Sequence, residues 1–276
     1  MATAGFMVVT DLDGSLLDFD TYSWEDALPA MRLLKRHNIP LVFCTSKTRA
    51  ELLQLQQQMG LSDPFISETG GAIWFHPHEM KTMPHGAKRR AGLYAIVLGL
   101  PYRTLRKALV DYRATHQVKI IGFGDLPVSQ IGRMCAVPPK VAPLVKKRDF
   151  DEPFIFTESP SKKVLDHLHR HFAGLGMRVV RGGRFHHLIG NTDKGTAIRR
   201  LRQWYDTETG GPVTIVGLGD SPNDISLFEA SDIRVLVKRH DGRYDPRVRA
   251  AVKTRLAGEI GPRGWNRAIL QLLENG

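Results

Sequence analysis

The chain opens on a short apolar run, Phe6 to Thr10, that stops at the polar turn Asp11-Leu12-Asp13-Gly14. A run of this length with β-branched residues and a turn signal behind it predicts a buried parallel strand. Over residues 24–37 the apolar positions Leu28, Met31 and Leu34 recur near helical spacing, and Pro29 fits only in the first turn of that helix. Residues 39–45 predict a second buried strand, followed by a helix carrying Leu52, Leu53, Leu55 and Met59 and stopped by Gly60. Strand, helix, strand, helix with short connections is the pattern of a doubly wound α/β sheet.

The far end repeats that pattern. Ala197, Ile198, Leu201 and Trp204 share one face of a helix over residues 194–205, and the apolar strand 213–217 follows. A helix near 223–229 and a strand over 234–237 continue the alternation. Between these flanks, residues 86–190 mix short strands (LYAIVL, KIIGF, FIF, RVV, FHHLI) with helices, the clearest marked by Val164, Leu165, Leu168 and Phe172. This predicts an α+β insert of about 100 residues, so that the chain divides into a first core segment 1–85, a cap 86–190 and a second core segment 191–276. The basic run 146–148 reads as a solvated loop.

Composition then narrows the class. With 276 residues, 42% hydrophobic and 24% charged, the chain is long enough for a real core and too apolar for disorder. Two cysteines, Cys44 and Cys135, cannot build a disulfide framework at this size, which favours a reducing compartment. No apolar run is long enough to span a bilayer, and Asp11 follows the N-terminus too closely for a leader, so the expectation is a cytoplasmic protein without membrane contact. The net charge of +11 favours an anionic partner. Nucleic-acid binding would account for it, but the basic residues are scattered and no binding motif is present, so that reading stays remote.

Four short segments fall at carboxyl ends of predicted strands or at the start of the next helix, the edge where doubly wound sheets bind ligands. Asp11 and Asp13 share a turn that Gly14 lets bend. Thr45, Ser46 and Lys47 enter a helix N-terminus, where a hydroxyl and backbone N–H groups suit an anion. Lys194 opens a helix against the macrodipole, a placement that a nearby anion would explain. Asp220, Asn223 and Asp224 crowd a glycine-rich loop, offering the oxygen ligands a hard cation such as Mg²⁺ requires. Each segment alone has a plain reading as a turn, a cap or a solvated side chain.

Taken in order, DLDG, TSK, DKG and GLGDSPND resemble the four motifs of the haloacid dehalogenase superfamily. That resemblance implies a Rossmann-like doubly wound core with an inserted C2-type cap, and phosphate-ester chemistry. By it, Asp11 is the nucleophile, Asp13 the general acid and base, Thr45 a phosphate ligand and Lys194 the charge stabiliser. Mg²⁺ is held by Asp11, Asp13, Asp220 and Asp224. Further strings, among them GLSDPFISETGGAI, GFGDLPV, RDFDEPF, GGRFHHL and GPRGW, are similar to the mannosyl-3-phosphoglycerate phosphatase family. This implies a small anionic sugar-phosphate substrate and release of mannosylglycerate, a compatible solute. Broader sugar-phosphate phosphatase activity, a glucosyl substrate, or a phosphomannomutase remain alternatives. Thr45, Ser46, Lys47, Lys194 and Asn223 from the core, with Gly182, Gly183, Arg184 and His186 from the cap, are the candidate substrate contacts. Arg184 suits a carboxylate and Lys47 a point charge.

Overall fold

Val8 packs on one side of the sheet it forms, while Met7 and Val9 pack on the other, because successive strand side chains point to opposite faces. That alternation, with both faces apolar, buries the first strand at the centre of the computed structural model, which describes residues 5–182 and 184–274. The first part of the chain forms β1 (Phe6–Thr10), α1 (Leu28–Arg36), β2 (Leu41–Cys44), α2 (Arg49–Met59), β3 (Phe65–Ser67), β4 (Ala72–Phe75), β5 (Lys88–Arg90) and β6 (Leu93–Val97). The middle forms α3 (Tyr102–His116), β7 (Ile120–Gly122), α4 (Val128–Cys135), α5 (Ala142–Val145), β8 (Asp151–Phe156), α6 (Lys162–Gly174), β9 (Met177–Arg181) and β10 (His186–Gly190). The last part adds α7 (Lys194–Thr209), β11 (Thr214–Gly219), α8 (Ile225–Glu229), β12 (Ile233–Lys238), α9 (Pro246–Ala251), β13 (Arg255–Ile260) and α10 (Gly261–Glu274).

The large sheet runs β13-β12-β11-β1-β2-β3-β4-β6-β5. Its first six strands in that order pair in parallel, and β4, β6 and β5 continue it antiparallel. Helices α1 and α10 cover one face through Leu34, Trp265 and Ile269, and α7 and α8 cover the other through Ile198, Leu201 and Phe228. The chain moves outward from β1 to β2 and β3, then returns on the other side of β1 through β11. The crevice at that reversal, beyond the carboxyl ends of β1, β2 and β11, is where such a sheet holds a ligand.

The second sheet, β7-β8-β10-β9, is antiparallel throughout. Helices α3 and α6 bury Leu105, Leu109, Tyr112, Leu168 and Phe172 against Phe154, Val179 and Leu188 of its strands. The expected start of this unit at residue 86 falls too early: β5 and β6 pair into the large sheet, and only after Val97 does the chain cross over. The run LYAIVL read as a cap strand because an apolar hairpin looks alike on either sheet. Within the run 146–148, Lys147 is exposed as expected of a solvated loop, but the Arg148 side chain is only 6% exposed. The last helix and strand pair, β13 and α10, lay outside the elements expected from periodicity.

Two connections join the units, and both touch the turn Glu68-Thr69-Gly70-Gly71. Leu98 and Gly99 donate backbone N–H groups to the Gly71 carbonyl at 3.0 and 2.8 Å, and the Thr192 hydroxyl donates to the Gly70 carbonyl at 3.2 Å. Gly70 has φ +90°, and a Cβ there would lie 2.2 Å from the Asp193 carbonyl oxygen. Only glycine fits. Gly70→Ala is expected to cost roughly 1–3 kcal/mol in denaturant unfolding, whereas Gly174→Ala, with open space around it in α6, should be neutral or slightly stabilising.

Candidate active site

Lys194 is fully buried, and its ammonium sits 2.6 Å from Asp11 Oδ1 and 2.6 Å from Asp224 Oδ1. This accounts for a cation at the first position of α7, where the helix dipole opposes it: two carboxylates from the ends of β1 and β11 outweigh the dipole. Burial works against the Lys194 charge, but Asp11 and Asp224 hold its pKa above the ordinary lysine value. Asp193 caps the helix by accepting from the Thr196 N–H at 2.7 Å, which fixes where Lys194 begins its reach.

The oxygens of Asp11, Asp220 and Asp224 lie within 4.8 Å of one another. Three buried carboxylates against one ammonium leave surplus negative charge. Burial pushes Asp11 up to about 7 against the pull of Lys194. Asp220 is raised well above the usual carboxylate range by burial and by Asp224 and Asp11. The three differ in what else they do. Both oxygens of Asp224 are engaged: Oδ1 by Lys194, and Oδ2 by the N–H groups of Asp220 and Ser221, both at 3.1 Å, and the Ser221 hydroxyl at 3.2 Å. Asp220 turns its carboxylate toward the turn after β1, where a Cβ on Gly14 (φ +79°) would come within 3.0 Å of Asp220 Oδ2. The donor set, all oxygen and over-negative, suits a hard divalent cation, with Asp11 and Asp220 the better-placed ligands and Asp224 occupied in holding the loop and Lys194.

Asp13 stands apart from this group. Its carboxylate is 38% exposed and pairs with the Lys47 ammonium at 2.8 Å. Lys47, expected to meet the substrate's anionic groups, lines the cleft and in this structure has Asp13 as its partner. Burial opposes the Lys47 charge, yet Asp13 and Glu51 hold its pKa up. Lys47 also sits 4.8 Å over the Tyr22 ring.

The segment 45–47 precedes α2 rather than capping it. Thr48 is the cap, its hydroxyl accepting from the Glu51 N–H at 3.1 Å while Glu51 accepts from the Thr48 N–H at 2.9 Å. Thr45 and Ser46 are therefore not consumed by capping. Thr45 is buried, and its hydroxyl accepts from the Lys47 N–H at 3.3 Å. The Glu68 and Thr69 N–H groups donate to the Lys47 and Thr45 carbonyls at 3.1 and 2.9 Å, bracing this loop from behind. Glu68 then reaches the other way, accepting from the N–H of Asp149 at 2.9 Å and from that of Phe150. One turn thus fixes both the loop after β2 and the segment leading into β8.

The two units meet over a cleft of about 180 Å³. Asp11, Asp13, Ser46, Lys47, Asp220 and Asn223 line it from the core. Gly182 and Arg184 line it from the cap. Thr45, Lys194 and Asp224 lie just behind its wall. Gly183 lies outside the described residues. His186 does not join the site: it is half-buried between Phe154 and Phe156, with ring centroids 5.4 and 5.1 Å away, and burial pushes it down to about 4. Strand alternation instead turns His187 inward, where its Nδ1 lies 2.7 Å from Asp151 Oδ2. Arg148 completes this group, donating to Asp151 at 3.2 Å and to the Ser46 carbonyl at 2.8 Å. Alternation alone could separate His186 from His187 only once the facing unit was known, and Arg148 was hidden in a basic run.

Further bonds tie the units across the cleft. Tyr22 donates its hydroxyl to the Cys135 carbonyl at 3.1 Å, and Thr48 to that of Leu144 at 3.0 Å. Arg184 lies 5.4 Å over the Phe19 ring at the cleft's rim. Cys44 is fully buried and Cys135 has its thiol pushed up to about 11 by burial, so neither is an ionised nucleophile at neutral pH.

A family model described as haloacid dehalogenase-like hydrolase matches residues 8–88. A curated protein of Methanococcoides burtonii is 40% identical over 270 residues, spanning 97% of each chain. One of Persephonella marina is 35% identical over 273 residues, again 97% of each. Both are named glucosyl-3-phosphoglycerate/mannosyl-3-phosphoglycerate phosphatase. A crystal structure from Thermoplasma acidophilum superposes with a TM-score of 0.69 at 13% identity, covering 97% of this chain and 98% of its own. That likeness concerns the fold.

The carboxylate group makes a pH-dependent difference. A carboxyl whose pKa is raised on folding adds stability at low pH and withdraws it as the pH rises through the folded value. For Asp11 that window runs from 3.8 to about 7. Mg²⁺ should therefore raise the thermal midpoint more at pH 8 than at pH 5. Equal increments at the two pH values, read by calorimetry, would contradict the assignment of the cation to these carboxylates.

Proposed function

The chain belongs to the glucosyl-3-phosphoglycerate/mannosyl-3-phosphoglycerate phosphatase family of haloacid dehalogenase-like hydrolases, and from that membership we propose that it cleaves a hexosyl-3-phosphoglycerate to the hexosylglycerate and phosphate. It is a phosphoric monoester hydrolase. The observation that carries the substrate reading, beside the relatives, is the composition of the cleft: acidic machinery on the core side, and Arg148, Arg184 and His187 facing it from the cap. A phosphate, a carboxylate and sugar hydroxyls would each find a partner there.

In the reaction, Asp11 attacks phosphorus through the oxygen not held by Lys194, and the ester oxygen leaves. An aspartyl phosphate results, dividing one difficult displacement into two. Asp13, on the same turn and open to the cleft, exchanges its bond to Lys47 for one to the departing glycerate oxygen, delivering a proton taken up from the cleft, and then takes one from the water that attacks the acyl phosphate. Lys194 keeps Asp11 in place and offsets the charge on the transferring group. The Thr45 hydroxyl accepts from the Lys47 N–H and so retains its own proton as a donor toward a phosphoryl oxygen. Mg²⁺ held by Asp11 and Asp220, with Asp224 behind them, would supply the positive charge that lets an anionic ester approach a carboxylate.

The cap contributes recognition. Asp151 orients His187 through Nδ1, which points the ring's other nitrogen at the cleft, and Arg148 is locked between Asp151 and the Ser46 carbonyl. Arg184, exposed and less constrained, is assigned to the substrate's carboxylate. No helix among the described residues is long and apolar enough to cross a membrane. We place the enzyme in the cytoplasm with a small metabolite, rather than nucleic acid, as its partner.

Phosphate release from mannosyl- and glucosyl-3-phosphoglycerate, 3-phosphoglycerate and mannose-6-phosphate, with and without Mg²⁺, tests this reading. Both hexosyl substrates should turn over only with Mg²⁺, and Arg184→Ala should raise KM more than it lowers kcat. Comparable rates on all four compounds would overturn the substrate assignment. Loss of mannose-6-phosphate without phosphate release would indicate a mutase.

A further inference from the structure

On the cap's helical layer, three histidines from two helices crowd together. His167 and His171 are one turn apart on α6, on one face of the helix. His116 is the last residue of α3. Their ring centroids are separated by 4.6 Å (His116 to His167), 5.5 Å (His116 to His171) and 6.2 Å (His167 to His171). Imidazoles bound through nitrogen at roughly 2.0–2.1 Å to a tetrahedral ion hold their centroids about 5 Å apart. The observed triangle has that size.

A fourth side chain adds direction. The Tyr112 hydroxyl lies 3.0 Å from His167 Nδ1, and Tyr112 itself is buried in the cap core. A nitrogen so engaged leaves Nε2 as the ligand atom, which is the usual arrangement around metal-bound histidine. Arg113, one turn before His116, is drawn aside by Asp125. Among the described residues, only Asp11, Asp220 and Asp224 already have three ligand atoms within 4.8 Å of one another. The nitrogens of His116, His167 and His171 do not all lie that close to one another in this structure, so the site requires the rings to turn about χ2, a motion open to the exposed His116.

We propose that His116, His167 and His171 form a second metal site, for a divalent transition ion of the imidazole-preferring class such as Zn²⁺, that clamps the end of α3 to α6. Imidazole ligands select such ions over Mg²⁺, so the site and the carboxylate group would draw on different metals. Neither helix contributes a residue to the catalytic cleft, and the proposal does not depend on the substrate assignment.

The test uses the full chain in excess Mg²⁺, titrated with Zn²⁺ by calorimetry and with Co²⁺ by visible absorption. The wild type should bind one Zn²⁺ and gain thermal stability from it. His167→Asn and His171→Asn should each weaken binding by at least about tenfold, and Tyr112→Phe, which removes only the orienting partner, by about tenfold or less. Phosphatase activity of these variants with Mg²⁺ should stay unchanged, which also reports that they fold. Zn²⁺ binding that survives both histidine substitutions would place the ion at the carboxylates and overturn the proposal. A reading free of variants is the imidazole NMR spectrum of the wild type: three rings should shift together on adding Zn²⁺, and their failure to move would likewise overturn it.

Discussion

The buried ammonium of Lys194 is the constraint around which the catalytic half is arranged. A charge taken out of water is tolerated only where its partners are close and well oriented, and removing one of them leaves another uncompensated. Asp11 from the end of β1 and Asp224 from the loop after β11 supply those partners, so the two strand ends and the start of α7 must stay in register. Asp224 in turn gathers the Asp220 and Ser221 N–H groups, and the loop that presents Asp220 is fixed by the same carboxylate that holds the lysine. The surplus of negative charge that remains is what a divalent cation would neutralise.

A second constraint couples this centre to the cap. The turn 68–71 sits between the loop after β2 and both crossings of the chain, with Glu68 bonded by its backbone to Lys47 and by its carboxylate to Asp149 and Phe150. Any movement of the cap relative to the core must pull on this turn, and through it on Thr45 and Lys47. The position of the cap is thereby tied to that of the loop carrying Thr45 and Lys47.

Much of the core was legible because its signals are local. β1, β2 and α7 follow from apolar runs and helical spacing, and the acidic and basic residues at their ends fall where a doubly wound sheet collects ligands. The locally unfavourable Lys194 proved the most informative, since its reason lay in tertiary structure. What stayed hidden was long-range. The pairing of β5 and β6 with the core, the choice of His187 over His186, and the burial of Arg148 all depend on which surface faces which, and no local pattern encodes that. Lys47 and Asp13 were both found as candidates, while their mutual ion pair was invisible to spacing. Surface pairs such as Arg202 with Asp232 and Lys119 with Glu158 match charges one for one and leave the net +11 untouched, and of the Lys and Arg residues Lys47, Arg148 and Arg184 line the cleft.

The central claim is that Asp11 carries the phosphoryl group. Rapid acid quench during turnover of a hexosyl-3-phosphoglycerate, followed by mass spectrometry of the digested protein, addresses it directly. The mass of one phosphoryl group is expected on the peptide containing Asp11, and is expected to be absent from Asp11→Asn. Turnover with the phosphoryl group on another residue, or full turnover by Asp11→Asn, would contradict it.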